Sequence, residues 1–121
     1  QKVHDWVGGY SWLPYVSQRV KDRLEPELGA TVQWHGPIPC KGTCYYMLNC
    51  VNILDCLLPN SNSNQLFFTE NVASNELIFR PRGFSRKLIA TERLRANISE
   101  AGDSGIRFGI IKNDGWIQPP T

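Results

Sequence analysis

The strongest constraint on this chain is that it repeats itself. Displacing the sequence by 74 positions lays Gly9-Tyr10-Ser11 over Gly83-Phe84-Ser85. The match runs on without a gap, with Ser17-Gln18-Arg19-Val20 over Thr91-Glu92-Arg93-Leu94, Leu24 over Ile98, Val32 over Ile106 and Trp34 over Phe108. Identities are few but physical class is kept, as expected of one local structure used twice. Each copy reads as a short extended lead, a helix opened by a hydroxyl residue, a glycine exit and a strand. Ser17 and Thr91 suit the N-cap, where a side-chain oxygen accepts from a free N–H of the first turn. Val20, Leu24 and Leu28 recur every four positions and share a face that must be buried, as do Leu94, Ile98 and Ala101 in the second copy. Pro26 offers no N–H to the Asp22 carbonyl, so the first helix is predicted to bend or stop near Glu25. Gly29 and Gly102 suit the left-handed residue that closes a helix.

The strands predicted to follow the helices are Thr31–Trp34 and Gly105–Ile111, the second turning one face inward through Ile106, Phe108 and Ile110. Asn113-Asp114-Gly115 makes a turn that folds Trp116-Ile117 back. Between the copies, Cys44–Cys50 reads as a strand, Val51–Leu58 as a helical turn or two, and Pro59–Asn64 as an exposed polar loop. Leu66-Phe67-Phe68 and Leu77-Ile78-Phe79 are further strand candidates. The prediction is one α+β domain over residues 1–121: two related strand-helix-strand units, 5–34 and 79–108, packed on a mostly antiparallel sheet, with a central section at 35–78. At 121 residues and 41% hydrophobic, the chain can build a core without metal or disulfide staples.

Several function classes recede on chemistry. Thirteen Lys and Arg against eleven Asp and Glu leave a net charge of +2, too little one-signed charge to make nucleic acid a leading partner. No apolar run approaches the ~20 residues that span a bilayer, and no basic stretch leading into an apolar segment marks a signal peptide. No cofactor or metal is expected. Cys40, Cys44, Cys50 and Cys56 are spaced C-x3-C-x5-C-x5-C, without the paired knuckle of a zinc site. Cys44, Cys50 and Cys56 lie among apolar residues and read as buried thiols of a reducing cytosol, with a disulfide framework the alternative. His35 near Cys40 and Cys44 is the one arrangement that suggests a small hydrolase, because an imidazole can lower a thiol pKa. No catalytic residues are assigned. What stands out instead is a basic run, Arg80, Arg82, Arg86 and Lys87, set around Phe84 and matched by the aromatic group Trp6, Tyr10, Trp12 and Tyr15. Arginine and large aromatics are the residue types that anchor protein interfaces, so Trp12, Arg80, Arg82 and Arg86 are the candidate contact residues.

Leu77 to Leu94, followed by Gly102-Asp103-Ser104-Gly105-Ile106-Arg107-Phe108, resembles the C-terminal signature of the immunity proteins encoded beside bacterial polymorphic toxins, the small α+β domains of the eleven type. That signature is a strand, a short loop, a hydroxyl residue opening a helix, then G-x-x-G-x-x-F. Tyr46–Asp55 is similar to the family's central stretch, and the crowded cysteines and the asparagine-serine loop at 60–64 depart from it. The resemblance implies a cytoplasmic protein without turnover of its own that binds and neutralises a cognate toxin. A secreted disulfide-bonded binding module is the alternative.

Overall fold

In a computed structural model of the chain, residues 4–69, 75–111 and 116–118 are described. The fold is α+β, as the strand and helix patterns require. Strands β1 (Trp6–Tyr10) and β2 (Leu13–Ser17) form a hairpin and lead into helix α1 (Gln18–Leu28). A 3-10 turn then feeds the long hairpin β3 (Val32–Cys40) and β4 (Thr43–Cys50). These strands make an antiparallel sheet in the order β1-β2-β4-β3. A second sheet follows the order β5-β6-β7-β9-β8, from β5 (Ile53–Leu54), β6 (Ile78–Pro81), β7 (Ile89–Ala90), β9 (Trp116–Gln118) and β8 (Gly109–Ile111). Only the β5–β6 pairing is parallel among these. Helix α2 (Glu92–Glu100) lies between β7 and β8, and the strand that follows it begins just past residue 108.

The repeated residues do what their pattern demands. Ser17 caps α1, its hydroxyl accepting from the Val20 N–H at 3.4 Å and donating to Asp5 at 2.9 Å. Thr91 holds the N-cap position of α2 but spends its hydroxyl on the Leu77 carbonyl. Val20, Leu24, Leu94 and Ile98 are all buried in one core with Val16, Leu48 and Ile78. The helices touch at equivalent positions: the Arg23 guanidinium donates to the Asn97 side chain at 3.2 Å, across a separation of 74. In the second sheet, Ile78 pairs with Ala90 and both face this core, while Phe79 pairs with Ile89 and both face a smaller one holding Cys56, Leu66 and Phe68. β6 and β7 are therefore covered on both sides.

Several expectations are corrected. The helices pack against two sheets, not one. α1 runs through Pro26 to Leu28, because burial of Leu24 and Leu28 and the bond from the Gly29 N–H to Glu25 outweigh one lost helical bond. Val51–Leu58 is extended rather than helical: Asn52, Leu54 and Cys56 turn inward while Val51, Ile53 and Asp55 are exposed, a period of two. Leu66–Phe68 contributes a single bridge, Leu57 to Phe68, rather than a strand. The strand after α2 begins at Gly109, not Gly105. Gly105 lies so close to β1 that a Cβ would run into the Trp6 carbonyl, and its φ of +85° suits glycine. The turn predicted at Asn113-Asp114-Gly115 lies outside the described residues. The polar loop is as expected, with the Asn62 side chain accepting from the Asn64 and Gln65 N–H groups. Among the described residues no helix is long and apolar enough to cross a membrane.

Charge ties the ends of the two units. Asp103, its side chain fully enclosed, receives both Arg23, at 2.7 and 2.5 Å, and Arg19, at 2.9 Å. Arg19 also reaches Asp5 at 2.7 Å. That bond, reinforced by the Ser104 N–H and the Ser17 hydroxyl against the cost of burial, holds the Asp5 carboxyl down from 3.8 to about 2.

Two outcomes follow from this packing. Leu24→Ala and Ile98→Ala, one in each unit, are each expected to lower unfolding stability by about 2–5 kcal/mol in urea titrations, from lost burial and the cavity left behind. Asp5 binds its proton more weakly folded than unfolded, so its contribution is complete above pH 3.8 and is lost as pH falls toward about 2. Stability measured across that window is expected to fall less steeply in Asp5→Asn than in the parent.

Candidate functional site

Three of the four candidate contact residues, Trp12, Arg80 and Arg86, come together, whereas Arg82 is tied to Leu54 at the end of β6. Trp12 lies in the β1–β2 turn and Arg86 in the loop between β6 and β7. The Trp12 ring stacks on Tyr10 with centroids 4.5 Å apart and planes at 12°. The Arg86 guanidinium stands 5.4 Å from the Trp12 ring centre. Tyr10 is 63% exposed and Arg86 is exposed, so the outer ring and the cation face solvent, while Trp12 between them is half-buried against the main core. The exposure of Tyr10 had no signal in the sequence, where it resembles the half-buried aromatics beside it.

Arg80 belongs underneath this surface rather than on it. It is 5% exposed. Its Nε donates to the Cys50 carbonyl at 2.8 Å, Nη1 to the Ser85 carbonyl at 3.0 Å, and Nη2 to the Trp12 carbonyl at 2.7 Å and Asn49 Oδ1 at 3.4 Å. No carboxylate lies within ion-pair distance of it among the described residues. Burial pulls its pKa down from the ordinary arginine value, yet a guanidinium stays protonated throughout the physiological range. The expectation of an exposed Arg80 fails because every residue of β6 is covered, and the planar fork finds carbonyls instead. Its effect is positional: one side chain grips the turn that carries Trp12 and the loop that carries Arg86. Arg82 is exposed at the end of β6, its N–H donating to the Leu54 carbonyl at 2.8 Å.

Behind Trp12 opens an apolar cleft of about 460 Å³, with Trp6, Leu94, Ile106 and Phe108 among its walls. Its lining comes from segments at both ends of the chain, so no window of sequence reveals it.

The other chemical candidates are kept apart. His35 is exposed and lies opposite Met47, three strand positions or about 10 Å along β4 from Cys44, which leaves no paired nucleophile and base. Cys40 and Cys44 are exposed, and Cys50 and Cys56 are buried, all four as free thiols. The expected burial of Cys44 is therefore corrected. It shares the inward parity of Leu48 and Cys50 but lies past the start of α1, whose Gln18 and Lys21 reach only as far as Tyr46. Cys40 pairs with Thr43 and Cys44 with Pro39, so the two thiols project from opposite faces of the hairpin. Cys50 and Cys56 lie in separate cores, an arrangement that gives a disulfide framework no support. Among the described residues no group of three or more His, Cys, Asp or Glu is placed to hold a metal ion. No protein-family model, curated protein or solved structure matches the chain.

Burial pushes the Cys50 thiol up and the Cys56 thiol to about 11, where little thiolate forms at neutral pH. Iodoacetamide followed by mass spectrometry is expected to label Cys40 and Cys44 promptly in the native protein. Cys50 and Cys56 are expected to react only as fast as the chain unfolds.

Proposed function

We propose that this protein is a toxin-neutralising immunity protein that works in the cytoplasm by stoichiometric binding, with no turnover of its own. The observation that carries the reading is the Tyr10–Trp12–Arg86 group, in which exposed Tyr10 and Arg86 flank a half-buried Trp12 whose turn is held from below by Arg80. Rigid aromatic and arginine anchors dominate interface energetics, and groups already fixed in place lose less freedom on binding. Arg82 is a further exposed cation, at the end of β6 beside Leu54. The resemblance of residues 77–108 to the immunity-protein signature supports the same reading. The segments that carry the resemblance are those that form β6, β7 and α2 around the anchor loop.

In this mechanism Trp12 and Arg86 meet the toxin, while Arg80 serves as a positioning residue whose loss frees both anchor segments at once. Binding occludes the toxin, so protection follows occupancy and does not grow with time. Trp12→Ala and Arg86→Ala are expected to keep the parent's circular dichroism. Each is expected to weaken calorimetric binding to the toxin encoded beside this gene by about 2 kcal/mol or more. Arg82→Ala is expected to act in the same direction and more weakly, as an exposed rim charge does. Relief of the toxin by substoichiometric protein would replace occlusion with an enzymatic modification. Unchanged affinity in Trp12→Ala and Arg86→Ala would move the interface elsewhere.

A further inference from the structure

The apolar cleft shares Tyr10 and Trp12 with the anchor group but extends beyond it to a lining with a chemistry of its own. Its floor is formed by Leu88, Ala90, Leu94 and Ile98, each at most 4% exposed, so the space reaches into the main core. Side chains ordinarily collapse into a volume of about 460 Å³ lined this way. Here polar bonds hold the walls apart. The segment leading into Ile106 and Phe108 is pinned by the bond from the Trp6 N–H to the Ser104 carbonyl at 3.0 Å. The Ser104 N–H adds a bond to Asp5 at 3.1 Å, and Arg23 holds Asp103 beside it. On the other side, Arg80 fixes the turn bearing Trp12 at 2.7 Å. These bonds fix the segments that line the cleft, and the lining is available to an apolar occupant.

The edge of the cleft selects the occupant. Among the described lining residues Arg107 is the charged side chain and no carboxylate is present. Arg107 is exposed and has no carboxylate partner within ion-pair distance among the described residues. A second guanidinium, that of Arg86, stands over the ring of Trp12, which is itself part of the lining. We propose that the cleft binds an apolar monocarboxylate, its hydrocarbon part against Leu94 and Phe108 and its carboxylate on Arg107. A guanidinium fork matches a carboxylate in both geometry and charge. The volume falls within the range of small-ligand sites, where few polar groups orient a mostly apolar ligand.

The test is titration of the full chain with decanoate below its micellar concentration, followed by calorimetry and by the fluorescence of Trp6 and Trp12. Saturable one-to-one binding is expected, with decanol weaker by about tenfold or more, the loss of one charge-assisted contact. Arg107→Gln, a surface change, is expected to weaken decanoate by a similar factor and leave decanol unchanged. Ala90→Leu, which narrows the floor, is expected to weaken both ligands, with thermal melting confirming that the variant is folded. Absence of saturable binding, equal affinity for decanol and decanoate, or an Arg107→Gln variant that binds decanoate like the parent would overturn the proposal. The titration contains no toxin, so its result is independent of the immunity reading.

Discussion

The Arg80 guanidinium is the interaction on which the rest of the arrangement depends. It rises from β6 in one sheet and donates to Cys50 at the end of β4 and to Trp12 in the β1–β2 turn, both belonging to the other. A buried charge without a carboxylate is tolerable only when its donors are filled, and here backbone oxygens and Asn49 fill them. Trp6, its counterpart in the repeat, crosses in the opposite direction: its indole N–H donates to Asp103 at 3.1 Å, just beyond α2. Each unit thus inserts one side chain from the same position into the other. The union of the two copies is polar and directional at its edges and apolar in the core shared by the helices and the strands of both sheets.

That division explains how a chain this small combines a dense core with an open cleft. Apolar contacts are indifferent to direction and would draw all the hydrophobic surface together. The Asp5–Arg19–Asp103–Arg23 group prevents this by fixing the chain after α2 against β1 and α1. Exposed ion pairs contribute little to stability, but Asp103 is enclosed and receives two guanidinium groups, so its geometry is well determined. Gly105 completes the arrangement by allowing backbone to approach backbone where any side chain would intrude.

The surface read as the toxin contact and the cleft read as a carboxylate site share Tyr10 and Trp12. One face of that turn carries the stacked Tyr10 and the cation of Arg86, and the same indole contributes to the cleft lining. An occupant of the cleft would therefore press on the wall that supports the anchor group. The shared pair is where the effects of the two proposals would meet.

The sequence by itself determined the features that depend on near neighbours along the chain. The spacing of Val20, Leu24 and Leu28, the N-cap at Ser17, the exits at Gly29 and Gly102, and the class-preserving repeat all follow from helix geometry and backbone sterics, which act over a few residues. It also named Trp12 and Arg86 among the candidate contact residues, from residue type alone, and the contact between them came from the fold. Tertiary structure alone decided which side of a strand is covered, and how far. Cys44 is exposed because α1 begins too late to reach it, and Arg80 is buried because β6 has a core on each face. Val51–Leu58 is extended because β6 supplies Arg80 and Arg82 N–H donors to Asn52 and Leu54. The cleft exists because bonds between residues nearly a hundred positions apart hold its walls. Periodicity states that a face will be buried, but the segment that buries it comes from elsewhere in the chain, and its reach is set by packing rather than by any local pattern.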